Sequence, residues 1–156
     1  MNIFVLDEDP NKAARYACDK HVVKMVLESA QLMCSVFPGG YAPYKKTHPN
    51  HPCSVWARER AENYEWLTQH SYALCVEYTK RYGKIHKSQE VIEWCDTHRP
   101  KLPSGPMSPF AQAMPDEYKD PDAVHAYRSY YMHEKINIAT WKTITPDWFN
   151  PGALNC

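Results

Sequence analysis

Long stretches of the chain repeat apolar and polar positions with the period of a helix. A short apolar run from Asn2 to Leu6 comes first, and it could be one buried strand or an extended segment lying across a helical core. Asp9 and Pro10 follow as an N-cap and a first-turn proline, a combination that starts helices. Because no Gly or Pro occurs again until Pro38, we expect a first helix of about 26 residues.

A second long helix is predicted between two groups of turn-forming residues. It should begin near Pro52 or Ser54 and run to Tyr82, where Gly83 can end it in the left-handed conformation. A third, shorter helix is expected over residues 88–98, with a serine as its cap.

The last third of the chain combines a proline-rich loop, a helix and a tail. Residues 99–119 hold too many prolines for regular structure, whereas Asp120 and Pro121 repeat the helix start, so a fourth helix should run to about Trp141. Residues 142–156 should form an ordered segment with aromatic side chains that pack on the protein, followed by a loosely packed end. We therefore predict a mainly α protein with one domain over residues 1–156, a bundle of about four helices, two of them long, a Pro-rich loop and an ordered C-terminal tail.

Composition narrows the classes of protein. The chain has 156 residues, 18 Lys and Arg against 18 Asp and Glu, and no apolar stretch near the roughly 20 residues of a membrane span. Its start carries acids where a secretory signal carries bases, so we expect a cytoplasmic location (the host cytoplasm if a phage encodes it) and six reduced cysteines. Because the net charge is zero, nucleic acid would have to bind a local basic patch.

Charged residues interrupt the apolar face of the first predicted helix. Arg15 and Asp19 fall inside the apolar arc, and His21 lies at its edge. Burying charge is costly unless it is paired and hydrogen-bonded, so this helix either builds a buried network or lines a pocket. A solvated face is the alternative for the polar stripe. The candidate catalytic residues are Asp19, Lys20, His21, Lys24 and Glu28.

The second long helix carries a face that is aromatic and hydrogen-bonding at once. Trp56 and Tyr64 would stack on an extruded base, while Arg81 and Lys87 would contact phosphates. The alternative is a core whose tyrosine and histidine tips are satisfied internally. The candidate substrate-binding residues are Trp56, Arg60, Asn63, Tyr64, His70, Arg81 and Lys87.

No cofactor is expected. His48 and His51 could share a metal with Asp19, His21 or Glu28, but two loop histidines without a matched third ligand do not predict a zinc site. The chain also lacks GxxxxGKS, GxGxxG, GxSxG and HExxH motifs, which excludes P-loop kinases, Rossmann dehydrogenases and the familiar zinc hydrolases.

Four blocks of sequence resemble known proteins. They are FVLDEDPNKAARYACDKHVVKMVLESAQLM, HPNHPCSVWARERAENYEWL, CVEYTKRYGKIHKS and MPDEYKDPDAVHAYRSYYMHEK. Together they resemble a family of small bacteriophage proteins over nearly the whole chain. The first two blocks are distantly similar to pyrimidine-dimer DNA glycosylase, or endonuclease V-like, proteins. That resemblance implies a helical DNA-repair fold and imine chemistry through an N-terminal amine, aided by a glutamate.

The chain departs from the glycosylase pattern at its first residues. Asn2 is bulky and should prevent removal of Met1, so the small N-terminal nucleophile that the resemblance implies is not expected. The catalytic assignment is therefore not carried over. Glu28 is a candidate for the carboxylate role, and Lys20 or Lys24 could supply an amine.

The leading hypothesis is an enzyme that acts on a pyrimidine base in DNA. It would remove or modify thymine or a 5-hydroxymethyl pyrimidine in phage DNA, with His21 or Glu28 as general base and Lys24 as nucleophile or charge partner. Three alternatives stay open. They are a transferase that attaches a small group such as an amino acid to hydroxymethyl pyrimidine in DNA, a non-catalytic phage protein that binds a host factor, and an enzyme of free nucleotides or amino acids.

Overall fold

Helices account for all the regular structure of residues 1–155, the part of the chain that the computed structural model describes. The predicted mainly α fold is therefore confirmed over this range. The six α-helices are α1 Pro10–Tyr16, α2 Asp19–Cys34, α3 Pro52–Glu59, α4 Ala61–Tyr82, α5 Gln89–Thr97 and α6 Ala123–Glu134. Short 3₁₀ helices cover Asp116–Tyr118 and Pro151–Asn155, the second of them where the sequence predicted a loose tail.

The first long helix predicted from the sequence is interrupted, so that prediction was wrong. Ala17 and Cys18 are extended, with ψ angles of 134° and 163°, and they separate α1 from α2. Distant groups bind the backbone freed by the break: the Cys18 amide donates to the Tyr131 hydroxyl at 3.1 Å, and the Asp19 amide donates to the carbonyl of Thr140 at 2.8 Å. The break is stabilised by residues far along the chain.

Arg81 supports the same break from α4. Its guanidinium donates to the carbonyls of Ala17 at 2.7 Å and Arg15 at 3.0 Å, and it forms ion pairs with Asp19 at 3.2 Å and Glu77 at 2.8 Å. The Arg81 side chain is completely buried. The sequence anticipated a buried charge network, and Asp19 belongs to one, although its partner is Arg81 and not Arg15.

The second predicted long helix is also interrupted, at Arg60. This residue is extended, with φ −143° and ψ 148°, and it separates α3 from α4. The side chain of Asn63 donates to the carbonyl of Trp56 at 2.8 Å, and the Ala61 amide donates to the carbonyl of Pro103 at 2.8 Å. Both hydrogen bonds take the place of bonds within a helix. The prediction of one continuous helix was therefore wrong at Arg60.

The ends of the later helices follow the sequence in part. Gly83 ends α4 with φ +71°, as predicted, and α5 lies where the third helix was expected. The fourth helix begins after Asp122, whose carboxylate caps two amides, and it ends at Glu134, well short of Trp141. Trp141 lies outside this helix, and its indole donates a hydrogen bond to the carbonyl of Tyr16 at 2.9 Å.

The core is built around α4, which packs against α1, α2, α3 and α5. The N-terminal apolar run is neither a strand nor a continuous extended segment, because Phe4 has a φ angle of +56°; Ile3 to Leu6 are buried. Trp148 and Phe149 in the tail pack against the same core. Cys18, Cys34, Cys53, Cys75 and Cys95 are buried free thiols, while Cys156 lies outside the described residues. Within residues 1–155 no helix combines the length and apolarity of a membrane span.

Candidate active site

A cleft of about 450 Å³ lies between the N-terminal segment, α2, the start of α3 and the C-terminal part of the chain. One side is formed by residues from the first third of the sequence, and the other by residues 112–135. Among the residues that line the cleft are Met1, Asn2, Phe4, Lys24, Glu28, His51, Gln112, Lys119, Tyr130 and Lys135.

A carboxylate with two amines beside it occupies this cleft. The α-amine of Met1 lies 3.3 Å from Oε1 of Glu28, and Nζ of Lys24 lies 3.7 Å from Oε2. Lys24 and Glu28 share one face of α2 because they are four residues apart. The Lys24 side chain is 69% exposed, whereas that of Glu28 is only 10% exposed. One amine is therefore carried by an exposed side chain, and the other by a residue whose side chain is packed in the wall of the cleft.

The second oxygen of Glu28 has unused hydrogen-bonding capacity. Oε2 is buried, and it accepts no hydrogen bond from any part of the chain that the structure describes. A buried polar atom without a hydrogen bond calls for an explanation, and at the wall of an open cleft one explanation is a bound ligand. The carboxylate can accept a proton from, or return one to, a group placed in the cleft.

His51 presents its imidazole to the same cleft. Its Nδ1 accepts the backbone N–H of Cys53 at 3.0 Å and so caps α3. Partial burial, followed by the positive charge of the Met1 amine, lowers the pKa of His51 below its ordinary value. The neutral ring that results carries its proton on Nε2, because Nδ1 is the acceptor in the cap. His51 can therefore donate a hydrogen bond from Nε2.

The metal alternative has no support in this geometry. Among residues 1–155 no three His, Cys, Asp or Glu side chains are grouped as metal ligands. His48 and His51 thus remain a pair, and the Nδ1 atom of His51 is already used by the helix cap.

Three lysines surround the cleft. Lys24 comes from α2, Lys119 follows the first 3₁₀ helix, and Lys135 follows α6. Nζ of Lys135 lies 5.1 Å from the ring centroid of Tyr130 and 5.9 Å from that of Phe4. Lys24 is paired with Glu28, and Lys119 lies 2.9 Å from Asp116. A phosphate bound here would therefore share two of the three lysines with carboxylates.

Two of the five candidate catalytic residues, Lys24 and Glu28, line the cleft. His21 lies beneath it, 4% exposed, with Nδ1 2.6 Å from the Tyr131 hydroxyl and its ring stacked on Phe4 at 4.3 Å. Burial lowers the pKa of His21 to about 3. The structure thus places His21 as a support under Phe4, where it does not reach the cleft.

The other two catalytic candidates lie elsewhere. Asp19 accepts the ion pair from Arg81 and also the backbone N–H of Lys142 at 3.0 Å. Lys20 is exposed and does not line the cleft. The structure therefore does not bring these two side chains to Glu28.

The aromatic and hydrogen-bonding face of the second predicted helix is part of the core. Trp56, Asn63, Tyr64 and His70 are each at most 2% exposed. Trp56 donates to the carbonyl of Ser108 at 3.2 Å, and Nδ1 of His70 lies 3.1 Å from the Pro10 carbonyl. Burial also lowers the pKa of His70 to about 4. Most of these residues therefore fit the alternative interpretation, a core in which the polar ends of the side chains form hydrogen bonds within the protein.

The remaining substrate-binding candidates are also outside the cleft. Arg60 donates to the carbonyl of Ser104 at 3.5 Å, and Arg81 is buried in its ion-pair network. Lys87 is exposed in a separate depression with His86 and acidic side chains of α5. The polar residues predicted as catalytic and substrate-binding on the two long helices are therefore not brought together at one cleft.

Several cleft residues were missed by sequence reasoning. Met1 was set aside as a nucleophile, His51 was considered only as a metal ligand, and Gln112, Lys119 and Tyr130 were not candidates. Lys24 and Met1 are far from residues 112–135 in sequence, so no local pattern could join them. One signal in the sequence pointed to the Met1 amine. The family resemblance implied a glutamate beside an N-terminal amine, and Glu28 was the candidate for that glutamate.

Comparison with known proteins identifies a family for the N-terminal part of the chain. Residues 1–91 match the family model described as pyrimidine dimer DNA glycosylase, while no curated protein and no solved structure matches the chain. The match covers more than half of the sequence and includes Met1, Lys24, Glu28 and His51, but it ends before the opposite wall of the cleft. It confirms the expected similarity and, broadly, a DNA-acting, glycosylase-like function; the phage origin stays a prediction. The chain belongs to the pyrimidine dimer DNA glycosylase family.

Proposed function

We propose that this protein is a DNA glycosylase that removes a pyrimidine base through an imine between the Met1 amine and deoxyribose. The observation that carries the proposal is the 3.3 Å distance from the Met1 amine to Glu28 in the wall of an open cleft. An amine next to a carboxylate can lose a proton to it and so become a nucleophile. Family membership supports DNA as the substrate.

The proposed reaction joins the amine to the sugar and releases the base. The lone pair of the neutral Met1 amine attacks C1′, the bond from C1′ to the base nitrogen breaks, and its electron pair leaves with the base. Glu28 passes the proton that it took from the Met1 ammonium to the departing base, which returns the carboxylate to its charged form. It then takes a proton from the nitrogen now bonded to C1′ and delivers it to the ring oxygen O4′, the C1′–O4′ bond breaks, and a protonated imine joins C1′ to Met1. Water hydrolyses this imine, which restores the amine and leaves an abasic deoxyribose.

Retention of Met1 is compatible with this chemistry. The bulky Asn2 should leave Met1 in place, so the small N-terminal nucleophile that the family resemblance implies is not expected. An α-amine needs no particular side chain to form an imine, however, and the Met1 amine itself contacts Glu28. Retention of Met1 therefore changes which residue carries the terminal amine, but the chain still presents an α-amine to Glu28.

Lys24 is the rival nucleophile. Its Nζ is 3.7 Å from the other oxygen of Glu28. We favour Met1 because its side chain is 5% exposed, against 69% for Lys24. A long solvated side chain must lose more conformational freedom to hold its amine at a sugar carbon than a terminal residue whose side chain is already packed.

Lysine side chains of the cleft would hold the DNA backbone. Lys24, Lys119 and Lys135 surround the carboxylate, and each can neutralise a phosphate. Arg81 and Lys87, the phosphate contacts expected from the sequence, are replaced in this role because one is buried and the other lies in a separate depression. The base that is removed would be a thymine, one thymine of a dimer, or a 5-hydroxymethyl pyrimidine.

Trapping with borohydride tests the proposal. The protein is incubated with a duplex that contains an abasic site, and separately with duplexes that contain a thymine dimer or 5-hydroxymethyluracil, in the presence of sodium borohydride. A covalent protein–DNA adduct is expected, and peptide mass spectrometry should locate it on the Met1 amine. An adduct on Lys24 alone would assign the chemistry to the rival amine, and no adduct with any of the duplexes would overturn the imine proposal.

A nucleoside digest separates the glycosylase from the transferase alternative. A glycosylase detaches a base, which is counted by mass spectrometry of the small-molecule fraction, directly for 5-hydroxymethyluracil and after photoreversal for a thymine dimer, whose bases stay joined by the cyclobutane ring. A transferase instead leaves every base in the DNA and raises the mass of one nucleoside. An increase in nucleoside mass without release of base would contradict the proposed removal reaction.

A further inference from the structure

The side chain of Asn2 is bonded at both ends. Its Oδ1 accepts the backbone N–H groups of Ile3 at 2.8 Å and Phe4 at 3.2 Å, and its Nδ2 donates to the carbonyl of Ala113 at 2.7 Å. Asn2 is 8% exposed. One end of the amide thus holds the turn that follows Met1, and the other end ties that turn to the far wall of the cleft.

Phe4 holds the next part of the same segment in an unusual conformation. Its φ angle is +56°, in the left-handed region that residues other than glycine rarely adopt. The ring is buried, stacks on His21 at 4.3 Å and lies parallel to Tyr130 at 6.2 Å. Backbone strain of this kind persists only where the surroundings enforce it, and it is concentrated at functional sites.

These contacts set the register of the terminal amine. With Asn2 and Phe4 anchored, the amine that reaches Glu28 is that of Met1, at 3.3 Å. A chain that was one residue shorter or longer would carry its amine about one residue away, and successive Cα atoms are roughly 3.8 Å apart. The amine would then lie outside direct reach of the carboxylate.

We infer that Asn2 is a positioning residue that holds the amine of a retained Met1 against Glu28. This inference rests on the proposed function. It adds that position 2, whose bulk keeps Met1 in place, also bonds the terminus into the cleft. Asn2 does not touch the reacting atoms; it acts through Met1.

Asn2 variants that keep Met1 give the first test. Asn2→Leu removes all three side-chain bonds, whereas Asn2→Asp keeps the acceptor for the turn and loses the donor to Ala113. Both side chains are bulky enough to leave Met1 in place, which intact mass confirms. Asn11→Leu, at an exposed position of α1, is the matched control. The measurement is the single-turnover rate of borohydride trapping with an abasic-site duplex, together with the Kd for the uncleaved duplex.

The expected result is a loss of rate without a loss of binding. Asn2→Leu should slow trapping at the Met1 amine by about a hundredfold, which is the effect of a misplacement of roughly 1 Å, and Asn2→Asp should lie between it and the wild type. Kd should not change, and the residual adduct should move towards Lys24, a shift that a general loss of structure would not produce. Trapping at Met1 with the wild-type rate in Asn2→Leu would overturn the inference.

A terminal extension tests the register with Asn2 intact. A single glycine placed before Met1 leaves every Asn2 bond available and moves the amine one residue outward. Trapping should slow by about a hundredfold while the melting temperature stays that of the wild type. An extended protein that traps at its glycine amine with the wild-type rate would overturn the inference, even if Asn2→Leu failed to fold.

The two proposals fail in different ways. If the wild type forms no adduct with abasic DNA, the imine function fails, and the positioning role fails with it. If the wild type forms an adduct on Met1 but Asn2→Leu and the extended protein match it, only the positioning role is overturned.

Discussion

The α-amine of Met1 lies 3.3 Å from Oε1 of Glu28, and the side chains of both residues are at most 10% exposed. The contact joins the first residue of the chain to the middle of α2, and the second oxygen of the same carboxylate is left without a hydrogen bond among the described residues. A buried ion pair of this kind is weak evidence for stability, because desolvation offsets much of the attraction. Its place in an open cleft makes it a candidate for chemistry.

Loss of the carboxylate should stop catalysis and leave DNA binding intact. Glu28→Gln keeps the size of the side chain but cannot accept the amine proton, so we expect base release to fall by about a hundredfold or more. Free thymine released from a dimer-containing duplex after photoreversal of the dimer, and the Kd for that duplex, are the two measurements. Glu90→Gln, at an exposed acid of α5, is the control. A Glu28→Gln protein with wild-type turnover would remove Glu28 from the mechanism.

The lysines around the cleft should set the salt dependence of DNA binding. Lys119→Ala and Lys135→Ala should each weaken binding for all sequences, and each should reduce the slope of log K against log salt by about 0.9 for every phosphate that the variant no longer neutralises. Lys87→Ala is the matched control, since Lys87 is exposed but lies in a different depression. Fluorescence anisotropy at several salt concentrations measures the slopes. A larger change in Lys87→Ala than in the two cleft variants would place the DNA elsewhere.

Arg81 should matter for stability and not for the reaction. Arg81→Met would leave Asp19 and Glu77 buried without their cation, and breaking a buried pair costs about 3–5 kcal/mol. Urea unfolding should show this loss, while the trapping rate for each folded molecule stays near the wild type. A variant of full stability that fails to bind DNA would instead support the phosphate contact expected from the sequence.

Two buried histidines should make stability depend on pH. The pKa values of His21 and His70 are lowered from 6.5 to about 3 and about 4. Below pH 6.5 these histidines therefore bind protons in the unfolded chain but stay neutral in the folded protein. The free energy of unfolding falls as pH decreases. Each histidine should contribute about 1.4 kcal/mol of lost stability for each pH unit in this window.

Unfolding free energies between pH 7 and about pH 4.5 check this linkage. His70→Gln should reduce the slope by one histidine's share, while His125→Gln, at an exposed histidine of α6, should not. An unfolding free energy that is the same at both ends of this range would contradict the lowered pKa values.

Local rules in the sequence were enough for several outer helix ends and for the position of Glu28 in the amine–carboxylate pair. Asp9 and Pro10 start α1, Gly83 ends α4, and the four-residue spacing of Lys24 and Glu28 places both on one face of a helix. These features depend on bonds within a turn or two, so they are readable from neighbouring residues. Resemblance in the first two sequence blocks also indicated the family that the comparison confirmed.

Tertiary structure decided where the long helices break and what encloses the cleft. The break before α2 is stabilised by Tyr131 and Arg81, which are far from it in sequence, and the wall opposite Glu28 comes from residues 112–135. Whether a charged side chain faces solvent, a core network or a cleft depends on what packs against it, and hydrophobic periodicity does not specify that partner. The sequence alone therefore placed Glu28 on a helix, and only the packed chain placed the Met1 amine against it.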